Sequence, residues 1–196
     1  MAEQEIEVKL RMESAAPLEA AGLSLVVETP RHFEDNWLLD TPGQDLRARG
    51  TTLRVRILHL ETGVRGLLTL KEKAPASAPA TQFKLRMETE TTLGEPENML
   101  RVLASLGYWK TFRYQKYRTV YRAQVSAMHS LHVMFDETPL GNFVELEGNE
   151  TALAAALAKL GVPQTAYILS SYIALQAAAC ERRGLPLQDM LFSDPT

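Results

Sequence analysis

The stretch Glu5-Ile6-Glu7-Val8-Lys9-Leu10-Arg11-Met12 alternates charged and apolar side chains without a break. Successive side chains of an extended strand point to opposite faces, so this octapeptide has one wholly ionic face and one wholly apolar face. The same period of two recurs over 53–57, 68–73 and 83–90. Further strands are expected over 34–40, 114–123, 131–136 and 143–147, about eight in all. Between and after them the period changes to that of a helix. Residues 15–21 form a short candidate stopped by Gly22, and 96–106 place Met99, Leu100, Val102, Leu103 and Leu106 on one stripe before Gly107. The Ala/Leu-rich segments 150–160 and 164–183 end at Gly161 and Gly184. The low-complexity run 74–80 reads as a loop between strands.

Charges on one face of a strand ordinarily meet water and are expendable, and each strand taken alone fits that description. Taken together they do not. Their polar faces hold ten basic residues and seven acidic ones, with few Ser, Thr or Gln among them. The opposite faces are strongly apolar, and the helices carry apolar stripes that must cover something. The economical arrangement puts the apolar faces outward under the helices and the charges inward. The expected fold is therefore α+β: an eight-stranded antiparallel β-barrel, a tunnel with a charged interior, flanked by helices. One tunnel domain over 1–184 and a tail over 185–196 account for the chain.

Buried charges without partners cost several kcal/mol each, roughly, so the lumen needs water, a cation and a polyanion. Crowded carboxylates repel one another unless a divalent metal neutralises them, and hard oxygen ligands suit Mg²⁺, Mn²⁺ or Ca²⁺. No His/Cys cluster suggests zinc. Lys and Arg side chains in such numbers suit phosphate oxygens. Metal and cationic cradle together equip a site for phosphoryl chemistry.

Composition narrows the alternatives. With 196 residues, 45% of them hydrophobic, the chain can bury a core without disulfides, and its one cysteine, Cys180, suits a reducing compartment. A net charge of −3 argues against nucleic-acid binding by bulk electrostatics. No apolar run reaches the ~18 residues of a membrane span, and the start Met1-Ala2-Glu3-Gln4 is acidic where a signal peptide would be basic. A cytoplasmic location is expected, with neither membrane nor nucleic acid as partner.

Glu5-Ile6-Glu7-Val8-Lys9 matches the ExExK signature of the CYTH superfamily, the triphosphate tunnel metalloenzymes, and the later motifs follow in the same order. Asp40-Thr41-Pro42 with Leu46-Arg47 resembles the family's DTPD turn, with Gln44-Asp45 inserted. Leu53-Arg54-Val55-Arg56 resembles its paired-Arg strand, and Leu68-Thr69-Leu70-Lys71 its phosphate-binding Lys strand. Arg86-Met87-Glu88-Thr89-Glu90 resembles R-x-E-x-E, and Lys116-Tyr117-Arg118 resembles K-x-R. Asp136 and Phe143-Val144-Glu145-Leu146-Glu147 resemble the late acidic strands, and Ser171-Tyr172 a pair often found near the end. ExExK alone is weak; six ordered motifs over about 5–172 are strong.

The resemblance implies metal ligands at Glu5, Glu7, Glu145 and Glu147, with Asp136 as a further ligand or support. It implies triphosphate-binding roles for Lys9, Arg54, Arg56, Lys71, Arg86, Lys116 and Arg118, with Arg11, Lys73 and Lys84 on the same face nearer the mouths. Glu88 and Glu90 are the candidates to orient the attacking water. The expected activity is hydrolysis, with Mg²⁺ or Mn²⁺, of inorganic triphosphate, thiamine triphosphate or a nucleoside triphosphate, by a monomer or homodimer. Two other readings stay open. One is a class IV-type adenylyl cyclase, which a faint HF…D likeness at His32-Phe33 and Asp40 favours; the other is a non-catalytic triphosphate or polyphosphate sensor. The last helix is expected to cover the barrel, with a plug at one tunnel end or a dimer contact as alternatives. Trp37, Trp109 and Tyr108 read as packing, and the histidines lack metal spacing.

Overall fold

Backbone pairing closes the alternating strands into a ring. The computed structural model describes residues 3–78 and 80–193. Eight strands run in the order β1 (Glu3–Arg11), β2 (Ser24–Asp40), β3 (Thr52–Leu60), β4 (Gly63–Lys73), β5 (Lys84–Leu93), β6 (Trp109–Ser126), β7 (His129–Thr138) and β8 (Gly141–Glu147). Each pairs antiparallel with its neighbours in the closed order β1-β5-β4-β3-β2-β6-β7-β8, and β8 returns to β1. Among the described residues five α-helices decorate the ring: α1 (Ala16–Ala20), α2 (Asp45–Arg49), α3 (Pro96–Ser105), α4 (Glu150–Leu160) and α5 (Tyr172–Glu181).

The apolar faces look outward, as the alternation requires. Val8, Leu10, Val133, Val144 and Leu146 pack beneath Leu153, Ala156 and Leu157 of α4. On the other side Leu39, Leu53 and Val55 pack against Leu46 of α2 and Leu103 of α3. Burial of each such Leu or Val contributes about 1.5–3 kcal/mol, which fixes the register, since a slip by one residue would exchange the faces. A third cluster joins Phe112, Tyr114 and Phe143 to Tyr172 and Met190. It closes the end of the lumen where β1 finishes and β8 begins.

Three details depart from the sequence expectation. β2 starts ten residues earlier than residue 34, at Ser24, because it pairs along β6 from Ser24↔Gln124 to Asp40↔Trp109. α2 is a helix of five residues in a stretch read as a turn. The Asp40 carboxylate accepts from the backbone N–H groups of Thr41, Leu46 and Arg47 at 2.7, 2.9 and 2.9 Å, and so caps its first turn. Gln44, in the inserted pair, enters the helix in the left-handed region at φ 57°.

The third departure concerns 164–183, which is not one helix. A 3₁₀ turn (Gln164–Ala166) is followed by an extended segment, where Ile168 exchanges backbone bonds of 2.9 and 3.2 Å with Lys9. β1 needs this partner, since β5 pairs with it only along Glu3–Glu7. Ser171 then caps α5 by accepting from Ala174 N–H. Of the expected tail 185–196, Met190 bonds the backbone of Arg113 and Gln115 at 2.9 Å each, and residues 194–196 lie outside the described residues.

Candidate active site

Inward-facing residues of all eight strands enclose a cavity of about 800 Å³. Paired residues share a face, so the register alone brings Glu7 of β1 beside Lys84 of β5 and Glu147 of β8. In the same way it sets Arg54 of β3 beside Thr69 of β4, and Thr69 beside Glu90 of β5. The cavity wall includes Glu5, Glu7, Lys9, Arg54, Arg56, Lys71, Arg86, Glu88, Glu90, Lys116, Arg118, Glu145 and Glu147. Asp136, the remaining candidate, lies behind the wall and is 0% exposed.

The charges form one connected lattice. Asp136 accepts from Lys116 at 2.9 Å, from Arg118 through both its oxygens at 2.6 Å, and from the Tyr172 hydroxyl at 2.6 Å. Arg118 also reaches Glu145, which pairs in turn with Lys9. Burial alone would raise the Glu145 carboxyl, but Lys9 and Arg118 hold it well below the usual carboxylate range. Across the lumen Arg56 donates to Asn36 at 2.8 Å and to Glu34 at 3.3 Å. Arg54 donates to the Tyr114 hydroxyl at 3.3 Å and to Thr69 at 3.1 Å, with Glu88 and Glu90 at 3.8 and 3.7 Å. Lys71 bonds Glu5 at 2.5 Å and Glu88 at 3.0 Å, and Lys84 bonds Glu7.

Arg86 lines the cavity but spends its Nη2 on the backbone carbonyls of Gly50 and Lys71, at 2.7 and 3.1 Å. Of the three residues placed near the mouths, Lys84 lines the cavity, Lys73 does not, and Arg11 lies over the Phe143 ring with Nη1 on the Leu140 carbonyl.

Acidic charge is in excess at β1 and β8. Glu147 has no hydrogen bond or ion pair among the described residues, and burial together with Glu5 and Glu7 pushes its carboxyl up to about 7. Glu5 is also raised, chiefly by burial, and its Oε2 is buried without a hydrogen-bond partner. Among the described residues no three carboxylate, imidazole or thiol groups are already gathered as a metal cage. The donor set nevertheless fits a hard divalent cation: four Glu carboxylates on two adjacent strands, one of them unpaired, with repulsion that a cation would relieve.

Residues 3–168 match the sequence profile of the CYTH domain. The chain belongs to the CYTH domain family. No curated relative matches it. Among solved structures, a protein of Pyrococcus horikoshii OT3 is 22% identical with a TM-score of 0.71, over 89% of this chain and 99% of that one. A candidate adenylate cyclase of Vibrio parahaemolyticus is 20% identical with a TM-score of 0.65, over 88% and 97%. A candidate adenylyl cyclase of Hippeastrum with a dominant triphosphatase activity is 21% identical with a TM-score of 0.58, over 95% and 98%. At these identities the likeness is one of fold.

The CYTH barrel also brings inward several residues that the alternation did not single out. Glu34 is 1% exposed and lies 3.4 Å from Lys116, opposite its contact with Arg56. Asn36, Thr69 and Tyr114 each hold one of the two arginines of β3. Tyr172 enters the cavity wall from the first turn of α5, with Lys9 4.7 Å from its ring centre. That helix start therefore plugs one end of the lumen in place of merely covering the barrel. The even positions of β2 would have disclosed Glu34 and Asn36. His32, in the HF…D stretch, bonds the Pro30 carbonyl at 2.8 Å and faces Glu34 at 3.4 Å, so its ring is committed to the wall.

Proposed function

We propose that this CYTH protein is a metal-dependent triphosphatase acting on inorganic triphosphate or an organic triphosphate inside the barrel. One observation carries the reading: the cavity inside the barrel holds a wall of Lys and Arg together with an acid-rich edge that includes an unpaired carboxylate. A phosphate-binding wall alone would suit a sensor, whereas Glu5, Glu7, Glu145 and Glu147 add a place for Mg²⁺ or Mn²⁺. When bound there, the ion would supply Lewis-acid polarisation of phosphate oxygens and of water.

The remaining steps belong to side chains. Lys9, Arg54, Arg56, Lys71, Lys116 and Arg118 bind and orient the phosphate chain, and they stabilise negative charge that develops on the transferred and leaving groups. Arg86, held by two carbonyls, stiffens the wall where β4 and β5 meet. Glu88 and Glu90 orient the attacking water, with Glu90 positioned by a 2.7 Å bond from the Thr69 hydroxyl. Asp136 and Glu34 position the cations and do not touch the substrate. The shared closed fold and the triphosphatase activity of the Hippeastrum protein support this reading.

The test is an assay of purified protein with Mg²⁺ or Mn²⁺ on triphosphate, thiamine triphosphate and ATP, with phosphate, pyrophosphate and cyclic AMP all measured. Phosphate release is expected. Cyclic AMP with pyrophosphate would replace the hydrolase by a cyclase, and tight binding without turnover by a sensor.

A further inference from the structure

Two tyrosine hydroxyls face the ionic lumen, and their bonding differs. The Tyr172 hydroxyl gives its hydrogen to Asp136 at 2.6 Å, and burial beside Asp136 and Glu145 holds its pKa well above the ordinary value. That proton is spent. The Tyr114 hydroxyl accepts from Arg54 Nη1 at 3.3 Å, and no group among the described residues accepts its own hydrogen. The residue lines the cavity, is 6% exposed, and is held by its ring against Phe112 and Tyr172, with centroids 5.9 and 5.7 Å away. An O–H with no protein acceptor among the described residues, fixed at the wall of a site rich in cations, is placed to donate to the oxygen of a ligand.

Its electrostatic setting suits the loss of that proton. Arg54 and Arg56 reach it from β3 and Lys116 from its own strand. The carboxylates near these cations are already engaged. Glu34 on β2 takes Arg56 and Lys116, Asp136 on β7 takes Lys116, Arg118 and Tyr172, and Glu88 and Glu90 on β5 lie on the other side of Arg54. Burial opposes ionisation of the phenol, but the three cations overcome it and bring its pKa down to about 8. A phenol in that range can give up a proton near neutral pH and leave a phenolate that Arg54 stabilises.

We propose that Tyr114 is a catalytic residue, the general acid that donates its phenolic proton to the leaving-group oxygen during phosphoryl transfer. The proposal rests on the triphosphatase reading above. In the step, water oxygen bonds to the phosphorus under attack and the bridging P–O bond breaks. Its electron pair stays on the bridging oxygen, which takes the Tyr114 proton. The attacking water loses one proton to solvent by way of the part-exposed Glu90, and the phenolate recovers one from solvent, so charge and atoms balance over the cycle.

The experiment compares wild type with Tyr114→Phe, which keeps the ring and its packing. Three quantities are read: kcat against pH with inorganic triphosphate and Mg²⁺, calorimetric affinity for triphosphate without metal, and the thermal midpoint. Expected are a loss in kcat on the order of 10²-fold, an affinity within a few-fold of wild type, an unchanged midpoint, and disappearance of the fall in kcat above about pH 8. A variant with unchanged kcat, or one that keeps the same alkaline fall, overturns the role. So does a loss confined to affinity, which would make Tyr114 a positioning residue for Arg54. A wild type without turnover removes the triphosphatase reading as well, whereas an active wild type equalled by its variant removes the tyrosine's role alone.

Discussion

Glu147 stands unpaired beside Glu5 and Glu7, and its carboxyl sits at about 7 against an ordinary 4.5. An unfolded chain loses that proton first. Below pH 4.5 both states carry it and its contribution to stability is fully present. As pH rises through the window to about 7, the folded state still binds a proton that the unfolded state has released, so stability falls with pH. The difference corresponds to about 3 kcal/mol, reduced by whatever solvent reaches the group. Glu145 and Glu7, whose carboxyls are held low, act oppositely, but their stability is lost only as pH falls below the ordinary carboxylate range.

Glu147→Gln removes the charge and keeps the shape. At pH 8 in EDTA the variant should therefore be more stable than wild type by about 2–3 kcal/mol, roughly 4–12 °C in thermal midpoint for a chain of this size. At pH 4 the two should agree. The assay is thermal unfolding followed by circular dichroism from pH 4 to 8, repeated with Mg²⁺ or Mn²⁺. Wild type should gain from added metal at pH 8 and the variant much less. A variant no more stable than wild type at pH 8, or one that keeps the whole decline between pH 4.5 and 7 where only the part due to the raised Glu5 should remain, would refute the argument from crowded carboxylates.

Asp136→Asn should destabilise by about 3–5 kcal/mol in urea unfolding, because Lys116 and Arg118 lose the anion they enclose. Unchanged stability with weakened metal affinity would instead make Asp136 a ligand. Arg56→Ala should weaken triphosphate binding by calorimetry about 10–100-fold and lower the thermal midpoint, since Glu34 keeps only Lys116 and His32. An affinity within two-fold of wild type would take Arg56 out of the cradle. Gln44→Gly should raise stability by about 1 kcal/mol, because glycine adopts φ 57° without the steric cost borne by Gln44. A lower midpoint would show that the Arg47–Gln44 side-chain bond of 3.1 Å outweighs that cost.

What could be read from the sequence was decided by where the period of two was clean. In β1 from Glu5 to Arg11 and in β5 from Lys84 to Glu90 each alternate residue is ionic. Arg54 and Arg56 of β3 and Lys71 and Lys73 of β4 continue that face, and these strands revealed the inward side of the ring. β2 hid its share because His32-Phe33-Glu34-Asp35-Asn36 is polar on both faces. Asp35 looks outward and holds Arg113 at 2.7 Å, so Glu34 and Asn36 did not stand out. Tyr114 did not stand out in the sequence, and Tyr172 did so only through the Ser171-Tyr172 pair, because an aromatic ring carries no mark of which way its hydroxyl points. The five-residue α2 depends on the Asp40 carboxylate, whose role appears only once the chain turns back. The split in 164–183 answers a need elsewhere, the edge of β1 that β5 does not reach.

The lattice of ion pairs in the lumen makes the resting tunnel resemble a loaded ion-exchange column. Lys71 and Lys84 already hold Glu5 and Glu7, and Lys9 holds Glu145. On the proposed reading, an incoming triphosphate would displace these internal counter-ions, and a divalent cation arriving at the carboxylates would set the lysines free to receive it. Each guest thereby prepares the place of the other, so the two should load far more strongly as a pair than singly. Bulk salt, which competes with ions at a surface, has little purchase on an exchange conducted between the protein's own walls.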